Sequence, residues 1–230
     1  MNPPAGFWRR YAAYSLDAAM LGLLSLPLLW PRLQEAQAGF TEEIARLQLR
    51  LWALLDPSLG SSADLLNLAR DWAADPVLRA SLASLSEQLA SLLLAVALTV
   101  FVLAAAWFIA SESSRWQASP GKRLLGLRVT HLTGGRCSPG RIALRFIAGI
   151  PSWGLLNLGH AMAGWRRDKR ALHDLITGTR VELATGAPMA MPTWARSWLL
   201  LQAAALFGLL GFVLLRYAQL LWEVAAGGLP

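Results

Sequence analysis

The sequence predicts an all-α membrane protein with three transmembrane helices, one broken re-entrant or interfacial helix pair and a minor cytoplasmic β-hairpin. Hydrophobic residues make up 55% of the 230 positions and charged residues only 15%, whereas a soluble domain carries about 25% charged residues. Three apolar stretches reach the roughly 20 residues that a helix needs to cross a bilayer. The basic residues cluster in segments beside these stretches, which is the pattern that orients membrane proteins.

The first span is predicted at Tyr11–Trp30, within an N-terminal segment 1–30. Asp17 lies well inside this apolar run. A carboxylate at bilayer depth costs about 3 kcal/mol, so it is rarely kept without a partner or a task. A cleaved signal peptide is the alternative, since Arg9-Arg10 precede the run. The run is too long for a signal peptide and Asp17 interrupts it, so we favour a span.

Residues 31–88 are predicted to form an extracytoplasmic helical insertion. Thr41 precedes two acidic residues and a periodic apolar pattern, which indicates the start of an amphipathic helix. Asp56-Pro57 and Asp75-Pro76 each place a capping carboxylate before a proline that suits the first helical position. The second pair is expected to open a helix that continues into the second span, 89–110. The insertion is interpreted as a small helical cap, with docking of a protein partner as the alternative.

Residues 111–196 form a predicted basic cytoplasmic region that contains a broken membrane helix at 142–165. The helix is expected to break near Gly149-Ile-Pro151, because proline interrupts helical hydrogen bonding. Basic segments flank it on both sides, so a re-entrant or interfacial pair keeps both flanks on one face of the membrane, whereas a full span would separate them. The third span lies in the final segment, 197–230.

Charge sets the predicted orientation. Segment 111–141 carries six basic residues and one acidic residue, whereas residues 31–88 carry five basic and eight acidic residues. The N-terminus and the basic segments are therefore expected in the cytoplasm, and the insertion outside, in a bacterial inner membrane. The lipid bilayer thus explains the net charge of +7 better than a nucleic acid partner does.

Two short segments with apolar residues at alternate positions predict the β structure. These are GLRVTHLTGGR at 126–136 and GTRVEL at 178–183, and the Gly-Gly pair in the first is a turn signal.

No motif indicates an enzyme, a cofactor or a metal site. Cys137 is the sole cysteine, and the three histidines show no ligand spacing. Ser119-Pro120-Gly121-Lys122 lacks the spacing of a phosphate-binding loop. We therefore expect no catalytic residues, no metal and no cofactor.

Four motifs in order carry a family resemblance: GFWRRYAAYSLD at 6–17, SPGKRLLGLRV at 119–129, GRIALRF at 140–146 and RRDKRALHDLITGTRV at 166–181. Together they resemble the RDD family of bacterial membrane proteins, named for one arginine and two aspartates. The resemblance aligns these with Arg10, Asp17 and Asp174. It covers most of residues 6–183, without the insertion or the last span. For function it implies transport, which is often suggested for the family.

The motif residues suggest a site. Arg10 and Asp17 are two helical turns apart, about 10 Å along the axis, so they share a face with Tyr14 between them. A direct pair between them would be long, and Arg145 of the broken helix is the expected partner of Asp17, which would make Asp17 a helix-docking group. The alternative is a protonatable or cation-binding carboxylate in an ion pathway. Asp174 is expected to cap its loop, on Arg166, Arg167 or Arg170.

Two functions remain open. The first is a small ion-coupled transporter of the cation–proton exchange class, expected to be a homo-oligomer because three spans and a broken helix enclose little space. The second is a non-transporting membrane accessory or scaffold protein that docks a partner through residues 31–88 or through its basic cytoplasmic face.

Overall fold

A computed structural model describes residues 2–55, 65–155 and 157–226. The predicted cap at Asp56-Pro57 lies outside the described residues. The helices are α1 (Phe7–Leu55), α2 (Leu65–Ala74), α3 (Pro76–Ser113), α4 (Pro120–Leu124), α5 (Pro139–Ile147), α6 (Ile150–Gly154), α7 (Leu158–Trp165), α8 (Leu172–Thr177) and α9 (Thr193–Ala225). The strands are β1 (Leu127–His131) and β2 (Thr179–Leu183). The chain divides into two compact units, one of residues 20–106 and the other of residues 1–19 and 107–230.

Three helices, α1, α3 and α9, are long and apolar enough to cross a membrane. With the bent pair and the small sheet described below, they confirm the predicted fold class. The chain is therefore treated as a membrane protein.

Helix α1 is longer than the sequence predicted. The pattern indicated a span ending at Trp30 and a separate amphipathic helix from Thr41, but one helix runs through both and contains Pro27 and Pro31. The residues that follow Pro31 are mostly strong helix formers, including Leu, Gln, Glu and Ala. Between Pro31 and Gly39 the sequence has no glycine that would end the helix, and α1 continues past Gly39 to Leu55.

In the unit of residues 20–106, α3 begins as the Asp75-Pro76 pair predicted. One carboxylate oxygen of Asp75 accepts hydrogen bonds from the amides of Val77 and Leu78, each at 2.9 Å. The other accepts from Nε of Arg50 on α1 at 3.0 Å. This carboxylate therefore both caps α3 and joins it to α1.

The predicted broken helix is a bent pair. Residues Pro139–Gly154 and Leu158–Trp165 meet at an angle of 98°. The helix is interrupted near the predicted Gly149-Ile-Pro151, with α5 ending at Ile147 and α6 beginning at Ile150. The sharp bend lies later, after Gly154. Pro151 lies in the first turn of α6, where its missing N–H is not needed. Asn157, immediately before α7, has a left-handed backbone, with φ of 62°, so α7 does not continue the helical path of α6.

Strands β1 and β2 pair antiparallel, with Leu127 opposite Leu183 and His131 opposite Thr179. The predicted β structure is confirmed, but residues 132–178 separate the strands, so they pair across the fold and not as a local hairpin. Leu127, Val129, Val181 and Leu183 pack in a core with Ala12 and Ala13 of α1. This packing places the start of α1 beside β2, where Nη2 of Arg10 donates to the carbonyl oxygen of Val181 at 3.1 Å.

Candidate functional site

Asp17 is fully buried on α1 and accepts three hydrogen bonds. The donors are Nε1 of Trp107 at 3.0 Å, the hydroxyl of Ser119 at 2.5 Å and the backbone amide of Gly121 at 2.8 Å. All three are neutral groups, from the end of α3 and the start of α4. The carboxylate is thus held by three neutral hydrogen-bond donors and not by a cationic side chain.

Gly121 allows α4 to approach α1. A Cβ atom at this position would lie 2.3 Å from the carbonyl oxygen of Ala13 and 2.9 Å from Cγ of Asp17. Ser119 caps the same helix, accepting from the amide of Lys122. The Ser-Pro-Gly sequence is therefore a docking turn for the Asp17 carboxylate.

The expected pair of Asp17 with Arg145 is wrong. Nη1 of Arg145 donates to Asp174 and to the hydroxyl of Thr179. Tyr14, the other expected neighbour, places its ring 5.7 Å from the ring of His160. Trp107 and the Ser-Pro-Gly turn supply the three donors to Asp17. Sequence reasoning missed them because an indole, a hydroxyl and a backbone amide carry no charge.

Asp174 is also fully buried, but its partners are cations. Its carboxylate accepts from Nη1 of Arg10 at 2.8 Å and from Nη1 of Arg145, and it caps α8 through the amide of Ala171 at 3.0 Å. The expected loop partners bind elsewhere: Arg166 and Arg170 pair with Asp168 at 2.9 and 2.8 Å. The structure therefore joins Arg10 and Asp174 of the motif, and places Asp17 in a different cluster.

The electrostatics around Asp174 follow from this arrangement. Burial alone would raise the pKa of Asp174, but the charges of Arg145 and Arg10 hold it well below its usual value. Nε2 of His173 lies 3.6 Å from Asp174. Burial, followed by the charge of Arg145, lowers the pKa of His173 well below its usual value. The imidazole is therefore neutral at pH 7.

Glu112 extends the network to α3 and α4. One of its oxygens pairs with Nζ of Lys122, and the other lies 3.3 Å from Nε of Arg145. We call the set Arg10, Glu112, Lys122, Arg145 and Asp174 the charge network. Sequence reasoning missed Glu112 and Lys122 as site residues, although Glu112 closely follows the predicted span 89–110 and Lys122 follows the Ser-Pro-Gly sequence.

A cavity of about 320 Å³ lies beside the charge network. Aromatic side chains and four members of the network line it, together with two histidines: Phe7, Tyr11, Tyr14, Phe108, Phe146, Trp153, Arg10, Glu112, Lys122, Arg145, His160 and His173. Within the described ranges, no group of three or more His, Cys, Asp or Glu residues is arranged to hold a metal ion.

Comparisons with known proteins identify the family of the chain. The chain is 26% identical over 188 residues to the uncharacterized protein YxaI of Bacillus subtilis (strain 168). The aligned region covers 79% of this chain and 98% of that protein. No solved structure matches the chain. The sequence model of the RDD family matches residues 4–178, a range that contains Arg10, Asp17 and Asp174 and every member of the charge network. The chain therefore belongs to the RDD family.

Proposed function

We propose that this chain is a small ion-coupled transporter whose substrate site is the cavity beside the charge network. The observation that carries the proposal is that network itself, in which two carboxylates and three cations are linked beside a 320 Å³ cavity and all but Asp174 line it. Charged groups among membrane helices are costly and commonly mark pathways for ions or substrates. The volume lies within the range of small-molecule sites.

The proton is the coupling ion that these side chains support best. The sequence hypothesis placed a cation at Asp17, but that carboxylate already accepts three hydrogen bonds. Glu112 and Asp174 are each paired with two basic groups. A metal cation requires several free oxygen ligands, whereas a proton needs only one carboxylate that exchanges partners. We assign that role to Glu112, which joins Lys122 to Arg145.

Reconstituted vesicles test the proposal. A pH-sensitive dye inside the vesicles reports proton movement after a gradient of sodium, potassium or naphthalene-2-sulfonate is imposed. We expect movement in the parent protein and its loss in Glu112→Gln. The Asp17→Asn variant should retain movement in the folded fraction. Absence of movement under all three gradients, where a known exchanger responds, would overturn the proposal.

The accessory-protein function remains the second candidate, because the C-terminal part of α1 exposes large apolar side chains. Ile44, Leu49 and Trp52 are 48%, 72% and 68% exposed. A photo-reactive amino acid at position 52 distinguishes the occupants of this face in native membranes. A single protein adduct of constant mass would support docking, an adduct of twice the chain mass would support a homo-oligomer, and lipid adducts alone would exclude both at this face.

We also propose that the protein lies in the bacterial inner membrane with its N-terminus and basic segments in the cytoplasm. Single cysteines in a Cys137-free background test the topology. Arg46→Cys should be labelled only from outside, and Arg136→Cys and Arg167→Cys only from the cytoplasm. Labelling of Arg136→Cys and Arg167→Cys from opposite sides would make 142–165 a full span.

A further inference from the structure

We infer that the cavity binds a small amphipathic organic monoanion, with its anionic group at Lys122 and Arg145 and its apolar body against the aromatic wall. The inference rests on the proposed function, because it names the substrate class for the same cavity.

The two cations that would hold the anionic group are adjacent. Lys122 pairs with one oxygen of Glu112, and Nε of Arg145 lies 3.3 Å from the other. The ammonium of Lys122 carries three protons, and Glu112 is its hydrogen-bond acceptor. Arg145 uses Nη1 for Asp174 and Thr179, and its Nη2 forms no hydrogen bond with the described residues. Both side chains line the cavity and retain donor capacity.

The charge balance of the network sets the sign of the ligand. Its three cations are Arg10, Lys122 and Arg145, and its two carboxylates are Glu112 and Asp174, so one positive charge is in excess. The side chain of Arg145 is 6% exposed. A buried charge without a counter-charge is costly. A ligand with one negative charge balances the network, whereas a cation adds to the excess.

The neighbouring wall sets the character of the ligand's body. The rings of Phe108 and Phe146 lie 6.4 Å apart, and Trp153 meets Phe146 edge-on at 5.5 Å. Nζ of Lys122 lies 5.3 Å from the ring centre of Phe108. The cationic and aromatic surfaces are therefore contiguous, which suits a molecule that is charged at one end and apolar at the other.

The test compares three probes with the same aromatic body and different charge. Naphthalene-2-sulfonate is an anion at all relevant pH values, naphthalene-2-sulfonamide is neutral and 2-naphthylmethylammonium is a cation. Binding to the full chain is measured by calorimetry in nanodiscs of phosphatidylcholine. We expect one sulfonate per chain, bound at least about tenfold more tightly than the sulfonamide, and no binding of the ammonium probe. Equal affinities for the three probes would overturn the inference.

Two variants shift the charge balance in opposite directions. Lys122→Gln removes the excess charge and should weaken sulfonate binding by about tenfold or more. Glu112→Gln frees both cations and should strengthen it, a result that misfolding does not produce. Arg166→Gln removes a cation that pairs with Asp168 outside the cavity and is the matched control, with unchanged affinity expected. Unchanged affinity in folded Lys122→Gln and Glu112→Gln would overturn the inference.

The same measurement separates lipid from solute and binding from transport. Displacement of the sulfonate by phosphatidylglycerol would assign the anionic site to a lipid headgroup and overturn a free solute. Sulfonate binding without proton movement in vesicles would keep this inference and reject transport. Proton movement under a sodium or potassium gradient, without sulfonate binding, would keep transport and reject this inference.

Discussion

Asp17 and Asp174 are both fully buried, but the structure satisfies them in different ways. Asp17 is held by a hydroxyl, an indole and a backbone amide, whereas Asp174 is held mainly by two guanidinium groups. The difference separates two roles within one motif. Asp17 fastens α4 and the end of α3 to α1, and Asp174 balances the cations beside the cavity. Replacing each aspartate by asparagine should therefore lower the free energy of unfolding by different amounts at the two positions.

The largest effect is expected for Asp174→Asn. The change leaves the buried Arg145 and the largely buried Arg10 with one carboxylate fewer. Breaking a buried ion pair on one side costs about 3–5 kcal/mol. The free energy of unfolding in mixed detergent–SDS micelles measures the loss. Asp168→Asn is the matched control, since its carboxylate is 36% exposed and solvent screens such pairs. Equal losses in the two variants would contradict the comparison.

The same ion pairs predict that the folded state loses stability at low pH. The folded state holds the pKa of Asp174 below the usual 3.8, so its contribution to stability is fully present above that pH and is lost as the pH falls below it. In Asp174→Asn, that part of the acid dependence should be absent.

The Asp17 cluster is tested next by Gly121→Ala. The new methyl group would meet the Ala13 carbonyl at 2.3 Å, and backbone has little room to yield, so we expect a loss of about 3 kcal/mol, the upper part of the range for overpacking. Gly140→Ala is the control, because nothing lies within 4 Å of its Cβ position. An equally small effect for both alanines would show that α4 is not docked tightly on α1.

Asp17→Asn should lower the free energy of unfolding by less than Asp174→Asn or Gly121→Ala. Asparagine keeps the shape and one acceptor oxygen, and the Ser119 hydroxyl can reverse to accept from the new amide. We expect a loss of about 2 kcal/mol, the charge-assisted part of the hydrogen bonding, measured by the same unfolding assay. A loss as large as that of Asp174→Asn would remove the distinction between neutral and cationic partners.

The smallest expected effect is the loss of stability per pH unit that His173, beside Asp174, contributes. Its folded pKa is below the usual 6.5, so its contribution to stability is fully present above pH 6.5 and falls as the pH is lowered, by about 1.4 kcal/mol per pH unit. Unfolding of the parent and of His173→Gln at pH 7 and pH 5 measures this slope. An identical slope in the variant would assign the acid sensitivity to another group.

Local signals in the sequence determined the membrane class, the apolar helices and several of their ends. Hydropathy is summed along the chain, so α1, α3 and α9 could be recognised without tertiary information. The Asp75 cap and the two strands follow from residues within a few positions of each other. The position of Asp17 within an apolar run already indicated that it needs a polar partner, and the family motif marked Arg10, Asp17 and Asp174.

The tertiary structure alone decided which groups meet. Arg145 pairs with Asp174 and Glu112 instead of Asp17, because α5 packs against α8, which carries Asp174. Asp17 meets Ser119 and Gly121, whose small size matters only where α4 contacts α1. The sharp bend falls after Gly154, where Asn157 adopts a left-handed backbone that composition does not reveal. These features depend on contacts between residues far apart in the chain, and a single sequence carries no physical signal for such distances.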